Sequence, residues 1–464
     1  MKDRTEQELP DRVTDGRDER AARSASSESR ECGRHVGVQE PSLLEQVLEP
    51  ENLERAWKQV RANRGAPGID GMTVDAFPSF FREHGRRICS SLREGTYRPA
   101  AVRRVFIPKP DGTQRPLGVP TVLDRVIQQA LAQALKPLVE GGFSGHSYGF
   151  REGRNAHQAV RRVEAGWKAR RRYAVDCDLK SFFDTVNHDR LMGQLREKIQ
   201  DRKVLGLIRR YLSVGIVLPD GTREATSCGV PQGGPLSPLL ANIVLDPLDK
   251  ELEARGHWFA RYADDFLVMV KSERAARRVM AGMIRFVEGK LKLKVNRTKS
   301  HCAPLKECAF LGFQIGSRGK AVWTEKAQAR FKQRVREITS RSRGHRVQTV
   351  IAELRRYVVG WLNYFGISQT YTVLLELEEW VRRRVRLCYW KQWKQPRTRR
   401  RRLLALGIHP DRVKLATRSR KGYWRMSGNS IVQRALTNRW LQEQGVPDMK
   451  QQWIAIHYPE PKEV

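Results

Sequence analysis

An acidic pair inside a β-hairpin pattern is the feature that most constrains how this chain can fold. Residues 257–270 read His-Trp-Phe-Ala-Arg-Tyr-Ala-Asp-Asp-Phe-Leu-Val-Met-Val, so apolar and β-branched residues flank Asp264 and Asp265. This pattern predicts two strands joined by a tight turn. Adjacent carboxylates repel each other unless solvent screens them or a cation binds between them. An isolated pair is usually a solvated turn, whereas Mg²⁺ bound there with substrate phosphates would serve displacement at phosphorus.

A third carboxylate follows a second apolar strand pattern. Residues 173–179 read Tyr-Ala-Val-Asp-Cys-Asp-Leu, which predicts a buried strand that ends near Asp178. Functional groups of α/β sheets commonly lie where strands end. Asp176 and Asp178 are two residues apart and therefore face the same side of the strand. A solvated strand-end acid is the alternative for Asp178, and we expect Asp184 to cap the helix that begins near Asn187.

Further short motifs follow one another along residues 56–313. They are Ala-Trp-Lys-Gln-Val at 56–60, Gly-Ala-Pro-Gly-Ile-Asp-Gly at 65–71, Ile-Pro-Lys-Pro-Asp-Gly at 107–112, Arg-Pro-Leu-Gly-Val-Pro at 115–120, Tyr-Gly-Phe-Arg at 148–151, Pro-Gln-Gly-Gly-Pro-Leu-Ser-Pro at 231–238 and Phe-Leu-Gly-Phe at 310–313. Together with Asp178, the paired Phe182 and Phe183 and the Tyr-Ala-Asp-Asp turn, this series resembles the group II intron-encoded reverse transcriptases, or maturases. The resemblance is to bacterial members without a C-terminal endonuclease domain. Each motif alone is a modest signal, but so many in family order are very improbable by chance.

The resemblance implies an α+β fold, namely a right-hand polymerase with fingers and palm followed by an all-helical thumb. The expected divisions are a disordered polar tail (1–40), an N-terminal extension and the start of the fingers (41–100), fingers and palm (101–315), a helical thumb or maturase domain X (316–413), and a short C-terminal DNA-binding segment (414–464).

Hydrophobic periodicity predicts the main elements of these divisions. Helices are expected at 123–138 and 190–211, and strands at Val102–Pro108 and 310–315 in addition to those above. Leu354, Val358, Trp361 and Leu362 recur on one helix face, for which we prefer packing in the thumb core.

Charge points to a polyanionic partner. The 464 residues include 87 Lys and Arg against 51 Asp and Glu, a formal net charge of +36. Such an excess favours binding to nucleic acid. No apolar run of 18 residues and no secretory signal occurs, so we expect no membrane association. Seven dispersed cysteines without a C-x-x-C spacing exclude a disulfide framework or a zinc site and fit a reducing bacterial cytoplasm.

The activity implied by the resemblance is RNA-directed DNA polymerisation, in which a primer 3′-hydroxyl attacks the α-phosphate of a dNTP. By family position, Asp178, Asp264 and Asp265 are the catalytic residues. With the backbone carbonyl of Leu179 they are also the expected ligands of two Mg²⁺ ions.

Family position also implies a set of dNTP contacts: Lys109, Arg115, Phe183, Gln232, Gly233 and Lys299. Lys109 and Arg115 suit a triphosphate, as a point charge and a planar fork. Phe183 is expected beneath the incoming sugar, where it excludes a 2′-hydroxyl, and Lys299 is expected to protonate the leaving pyrophosphate. The alternatives are ordinary surface charge for the cations and a core position for Phe183.

A basic segment suggests where RNA binds. Residues 381–402 hold 11 Lys and Arg and no acid. Their mutual repulsion favours an RNA contact over a merely solvated face. Interleaved Tyr389, Trp390 and Trp393 either stack on bases or pack below the helix. The expected RNA-binding residues are Arg382, Arg383, Arg384, Arg386, Arg399, Arg400, Arg401 and Arg402.

The expected partners are group II intron RNA, an RNA template with a DNA primer, target DNA and dNTPs. The expected function is to copy the intron during retrohoming and to assist its splicing. Two alternatives remain at this point, a non-catalytic RNA-binding splicing cofactor and a host-adapted reverse transcriptase in defence or repair. Intact Asp178, Asp264 and Asp265 argue against a pure scaffold, because clustered acids have no use on a basic RNA-binding face.

Overall fold

Two four-stranded sheets with helices around them precede a helical region in the computed structural model, which describes residues 41–108, 112 and 114–459. Residues Ser42–Val464 form one unit. The predicted disordered tail at 1–40 lies outside the described residues. Within the described part of the chain, no helix is long and apolar enough to cross a membrane.

The N-terminal helices and the first hairpin come first in the chain. Their bounds are α1 Leu43–Leu48, α2 Pro50–Ala62, α3 Phe77–Glu94, β1 Val102–Pro108, β2 Gln114–Val119 and α4 Val122–Glu140. The expected strand β1 is confirmed to the residue, and α4 extends the predicted helix 123–138 at both ends. Thr121 caps α4 by accepting a hydrogen bond from the backbone N–H of Asp124, which satisfies one of the free donors at a helix start.

The middle of the chain alternates helices with short strands. The bounds are α5 Ala156–Lys168, β3 Tyr173–Asp176, α6 Phe182–Thr185, α7 His188–Arg196, α8 Arg202–Leu212, β4 Ile216–Val217, β5 Arg223–Glu224 and α9 Ser237–Ala254. The prediction of a single helix at 190–211 is wrong. The chain instead breaks between α7 and α8, where the Asp201 side chain caps α8. Asn187, not Asp184, caps α7, since its side chain accepts from the N–H of Arg190.

The predicted hairpin and the strands after it complete the sheets. The bounds are β6 Trp258–Tyr262, β7 Asp265–Val270, α10 Glu273–Arg285, a π-helical turn Phe286–Leu291, β8 His301–Pro304, a 3-10 turn Leu305–Glu307, β9 Phe313–Ile315 and β10 Ala321–Trp323. The hairpin prediction is confirmed, whereas β9 is shorter than the strand predicted at 310–315.

Sheet order places β3 beside the hairpin. One four-stranded sheet has the order β2-β1-β4-β5 and the second the order β6-β7-β3-β8, while β9 and β10 form a two-stranded antiparallel sheet. In the second sheet β7 pairs antiparallel with both β6 and β3. Residues 266–270 of β7 are all buried, as expected for a strand covered on both faces.

From Glu325 onward every described regular element is a helix. The bounds are α11 Glu325–Ile338, α12 Val347–Phe365, α13 Tyr371–Gln392, α14 Pro396–Ala405, α15 Pro410–Thr417, α16 Tyr423–Ser427, α17 Ser430–Ala435, α18 Asn438–Glu443 and α19 Met449–His457. The predicted stripe on α12 is buried: Leu354, Val358, Trp361 and Leu362 are all in one core with residues of α11 and α13. The α+β class with a helical C-terminal region is thus confirmed.

Candidate active site

The acidic pair lies at the tip of the β6–β7 hairpin. Tyr262 pairs with Asp265, so Ala263 and Asp264 form a two-residue turn. Ala263 adopts φ 58°, a left-handed conformation that non-glycine residues rarely take. Such strain is retained only where surrounding contacts enforce it, and it is often found at functional sites.

Strand pairing brings the third acid to this turn. Asp176 at the end of β3 pairs with Leu267 of β7. The same register continued for two residues places Asp178 opposite Asp265. The charges of Asp176, Asp178 and Asp264 all act on the Asp265 carboxyl. The structure therefore brings the predicted catalytic acids together and adds Asp176 to them.

Burial and neighbouring negative charges raise the pKa values of Asp264 and Asp265. Burial, followed by the charges of Asp176, Asp264 and Asp178, raises the pKa of Asp265 to about 7. Burial first, and then the charge of Asp178, also raises the pKa of Asp264, while the guanidinium of Arg115 opposes that rise. Repulsion of this kind is relieved when a cation binds.

The Asp178 carboxylate is held from a distant part of the chain. Asn296 Nδ2 donates to Asp178 Oδ2 at 2.9 Å. On the backbone, Asn296 N donates to Asp178 O at 2.8 Å, and the N–H of Asp178 donates to Ser300 Oγ at 3.0 Å. The next residue, Leu179, forms a bridge with Val295. The segment that follows the π-helical turn thus fixes Asp178.

The acids form an open set of oxygen donors. Among the described residues, no group of three or more His, Cys, Asp or Glu side chains is arranged to hold a metal ion by itself. Magnesium commonly binds through one or two carboxylates and takes its remaining ligands from substrate phosphates and water. The carboxylates of Asp178, Asp264 and Asp265 fit that donor chemistry, and the ligand role of the Leu179 carbonyl stays a prediction.

The β1–β2 hairpin carries a cation whose charge acts on the acids. Arg115 on β2 is exposed, and its charge partly opposes the rise in the pKa of Asp264. A guanidinium within electrostatic range of the acids suits an anionic group bound between them. Lys109, its predicted partner, lies outside the described residues.

Phe183, Gln232 and Gly233 come together next to β2. Phe183 and Gln232 line one cavity of about 160 Å³ with Gly118 and Cys228. Gly118 N donates to Gln232 O at 2.6 Å. Gly233 has φ 122°, and a Cβ there would overlap the Gly118 carbonyl oxygen. Only glycine allows this approach, so the loop around Gly233 packs directly against β2.

Phe183 and Lys299 differ in how far their side chains are buried. Phe183 is half-buried and packs edge-on against the buried Phe182 with ring centroids 5.1 Å apart, so it is partly core and partly open to the cavity. Lys299 is exposed on the segment that holds Asp178. Phe183 follows Asp178 by five residues. Lys299 lies between Asn296 and Ser300, which both form hydrogen bonds with Asp178. The roles of Phe183 and Lys299 stay predictions.

The arginines of the basic segment 381–402 are of two kinds, those exposed to solvent and those bonded to other groups of the protein. The prediction that Arg386 binds RNA is wrong, because its side chain is buried and donates to Leu436 O at 2.9 Å and Asn438 Oδ1 at 2.7 Å. Arg382 is largely buried and pairs with Glu378 at 2.8 Å. Arg384 donates to Thr339 Oγ1 at 2.8 Å.

The remaining arginines of the set differ in the same way. Arg383 stacks on Trp424 at 4.0 Å, and Arg399 Nε donates to Trp393 O at 2.8 Å. Arg400, Arg401 and Arg402 on α14 are exposed. Tyr389, Trp390 and Trp393 are buried, which decides between stacking on bases and packing below the helix in favour of packing.

Sequence reasoning missed Asn296 as a partner of Asp178 and also missed a buried ion pair between Arg261 and Asp249. A signal for the pair was present, because an arginine in an apolar strand and an acid in an apolar helix each require a partner. The sequence pattern did not indicate that Arg261 and Asp249 are each other's partners.

Comparison with known proteins agrees with this site. Residues 107–315 match the family described as reverse transcriptase (RNA-dependent DNA polymerase). Residues 328–407 match the group II intron, maturase-specific domain. The first match covers the sheet β6-β7-β3-β8, beside which the acids lie, and the second covers most of helices α11 to α14.

Individual relatives extend the comparison. Protein YkfC of Escherichia coli (strain K12) is 33% identical over 314 residues, which cover 59% of this chain and 82% of that protein. Group II intron-encoded protein LtrA of Lactococcus lactis subsp. cremoris is 38% identical over 209 residues, which cover 45% of this chain and 34% of that protein. The chain thus spans most of YkfC but about a third of LtrA. A chain of a partial Cas6-RT-Cas1--Cas2 complex is 24% identical with a TM-score of 0.35, covering 54% of this chain and 43% of that chain, a likeness too low to add to the sequence matches.

Proposed function

Because the chain belongs to the reverse transcriptases that carry a group II intron maturase domain, we propose that it copies RNA into DNA and assists the splicing of a group II intron. The observation that carries the proposal is the β3–β7 pairing, which brings the end of β3 beside the hairpin so that the charge of Asp178 acts on Asp264 and Asp265 inside the reverse transcriptase region. In this proposal the same protein copies the intron during retrohoming.

Asp178, Asp264 and Asp265 are the proposed catalytic residues and, with the Leu179 carbonyl, the proposed ligands of two Mg²⁺ ions. When bound, such ions supply Lewis-acid stabilisation of charge in phosphoryl transfer. The acids themselves orient the site, because Asp178 is fixed by Asn296 and the turn is fixed by the hairpin. An open carboxylate set suits a substrate that brings its own phosphate oxygens.

The incoming dNTP is proposed to lie between the acids and the fingers. Arg115 and Lys109 would contact its triphosphate, with Arg115 supported by its effect on Asp264. Phe183, Gln232 and Gly233 would contact its sugar and base, supported by the cavity that Phe183 and Gln232 share. Lys299 would protonate the leaving pyrophosphate.

The helical region is proposed to bind intron RNA. We place the thumb or domain X at 316–413 and a DNA-binding segment at 414–464. Support comes from the maturase match at 328–407 and from the exposed Arg400, Arg401 and Arg402, whose charge has no acid in residues 381–402 to neutralise it. An RNA template with its primer and target DNA would be the other partners.

Primer extension with the full-length protein tests the enzymatic part. An RNA template with an annealed DNA primer, dNTPs and Mg²⁺ should give extended DNA. Asp264→Asn should lower the rate about a thousandfold, because it removes a carboxylate charge that would hold the Mg²⁺ ions against the anionic transition state. Asp411→Asn is the matched control, since Asp411 is an exposed acid on α15, and it should leave the rate unchanged.

Splicing of an intron-containing RNA tests the other part. Asp264→Asn should retain RNA binding and splicing assistance, because it leaves the basic helices intact. A wild-type protein that binds and splices RNA but extends no primer would instead establish the non-catalytic splicing cofactor. A protein that extends primers but binds no intron RNA would favour a host-adapted enzyme.

A further inference from the structure

A buried ion pair lies directly behind the acidic hairpin. Arg261, the residue before Tyr262, and Asp249 on α9 are each only 1% exposed. Arg261 Nε donates to the two carboxylate oxygens of Asp249 at 2.8 and 2.9 Å. Arg261 Nη2 donates to the same carboxylate, so the guanidinium is held in one orientation.

The other arm of Arg261 reaches the turn. Arg261 Nη1 donates at 2.9 Å to the backbone oxygen of Ala263 and at 2.9 Å to Asn242 Oδ1. Ala263 is the left-handed residue that immediately precedes Asp264. The guanidinium therefore ties the carbonyl of the strained turn to α9.

A second segment closes over the turn through the same residues. Asn242, itself fully buried, donates from Nδ2 to Gly149 O at 3.0 Å. A Cβ on Gly149 would overlap the backbone nitrogen of Ala263. The backbone of Arg261 also accepts from Tyr148 N and donates to His146 O, each at 2.9 Å. The turn is thus clamped between α9 and residues 146–149.

Stability alone does not require an ion pair at this place. Buried pairs can often be replaced by apolar residues of similar volume without loss of stability. An apolar pair cannot, however, donate a hydrogen bond to the Ala263 carbonyl. We propose that Arg261, oriented by Asp249 and Asn242, is a positioning residue that sets the hairpin turn so that Asp264 and Asp265 meet the metal and substrate phosphates. This inference rests on the proposed polymerase function.

The decisive variant removes both charges together. Arg261→Met combined with Asp249→Leu leaves no unpaired buried charge, and it should melt cooperatively near the wild-type temperature. The kcat of primer extension should fall at least about tenfold, because small displacements of reacting groups are costly. The KM for dNTP should stay within about twofold, since the fingers contacts are unchanged. Mn²⁺ binding measured by electron paramagnetic resonance should weaken several-fold.

Two further variants keep the test independent of folding. Asn242→Ala removes one acceptor of Arg261 and the donor to Gly149, and it should shift kcat and Mn²⁺ binding in the same direction by a smaller factor. Asp246→Asn is the matched control: Asp246 is also buried on α9, but its ion pairs are with Lys250 at 2.7 Å and Lys198 at 3.8 Å. That control should change neither kcat nor Mn²⁺ binding.

The outcomes separate this inference from the proposed function. A folded double variant with wild-type kcat and Mn²⁺ affinity would show that the pair only supports packing. If the double variant does not fold, unchanged kcat and Mn²⁺ binding in Asn242→Ala would overturn the inference equally. A wild-type protein that makes no DNA refutes the polymerase instead, and Mn²⁺ binding then still decides whether Arg261 positions the acids.

Discussion

Asn296 donates to Asp178 twice, from its side chain to Oδ2 at 2.9 Å and from its backbone to the carbonyl oxygen at 2.8 Å. The two residues are 118 positions apart in the chain. Thr298 Oγ1 donates in turn to Asn296 Oδ1 at 2.8 Å, which orients the amide so that its N–H groups face Asp178. Asp178 therefore depends on the segment after the π-helical turn for its position.

Replacing Asn296 should slow DNA synthesis without affecting RNA binding. A hydrogen bond to a charged group contributes about 1.5–3 kcal/mol, so Asn296→Ala should lower kcat about tenfold to a hundredfold. Thr298→Val, which removes only the hydrogen bond that orients the amide, should cause a smaller loss. Single-nucleotide addition measures kcat, and filter binding measures RNA affinity. Equal rates in Asn296→Ala and wild type would contradict a positioning role for Asn296.

The raised pKa of Asp265 predicts a pH dependence of stability. Its pKa of about 7 in the folded protein lies above the ordinary value of about 3.9 for an unfolded chain. The folded state therefore binds more protons in this window, and metal-free stability should fall as pH rises from about 4 to about 7. Asp265→Asn should reduce that fall and raise the Tm at pH 8.

Thermal melting in EDTA between pH 5 and 8.5 measures this effect. Mg²⁺ should raise the wild-type Tm more at pH 8 than at pH 6, because the carboxylate must lose its proton to bind a cation. The same Mg²⁺ effect should be weak in Asp265→Asn. Parallel pH profiles of Tm for the two proteins in EDTA would contradict a raised pKa of Asp265.

Truncating Phe183 should relax the choice of sugar. Phe183 lines the cavity beside Gln232, and its proposed role is a steric clash with a 2′-hydroxyl, so Phe183→Ala relieves a penalty. The ratio of kcat/KM for a dNTP to that for the matching rNTP should fall at least about tenfold. Phe182→Leu is the matched control, because Phe182 is buried beneath Phe183 and should leave the ratio unchanged. An unaltered ratio in folded Phe183→Ala would make Phe183 a core residue only.

The divided arginine set predicts two separable phenotypes. Replacing the exposed Arg400, Arg401 and Arg402 together by Gln should reduce the magnitude of the slope of log RNA affinity against log salt by about 2 to 3, at about 0.7 to 0.9 for each lost phosphate contact. Their exposure means that Tm should hardly change. Arg386→Gln should instead lower the Tm and leave the salt slope unchanged, because Arg386 is buried with two internal acceptors. Salt titrations and melting curves of both proteins test this, and a normal salt slope for the triple variant would move the RNA surface elsewhere.

Local pattern was sufficient for the elements that a short stretch of chain determines. Alternating apolar residues around Asp264 and Asp265 predicted the hairpin, because the turn and both strands lie within 14 residues. The stripe from Leu354 to Leu362 predicted a buried face of α12 for the same reason. The order of motifs identified the family, and with it the α+β fold, without reference to any contact.

Hydrogen-bond and ion-pair partners that are distant in sequence were revealed only by the tertiary structure. Arg386 and Arg401 look alike in one basic run, yet Leu436 and Asn438 bury the first while the second stays exposed. The tie from Arg261 to Asp249 likewise exists because α9 packs behind β6. A charged side chain carries the same signal in sequence whether it is solvated or paired. Its energy depends on which groups replace the water around it, and those groups are brought there by the packing of the whole chain.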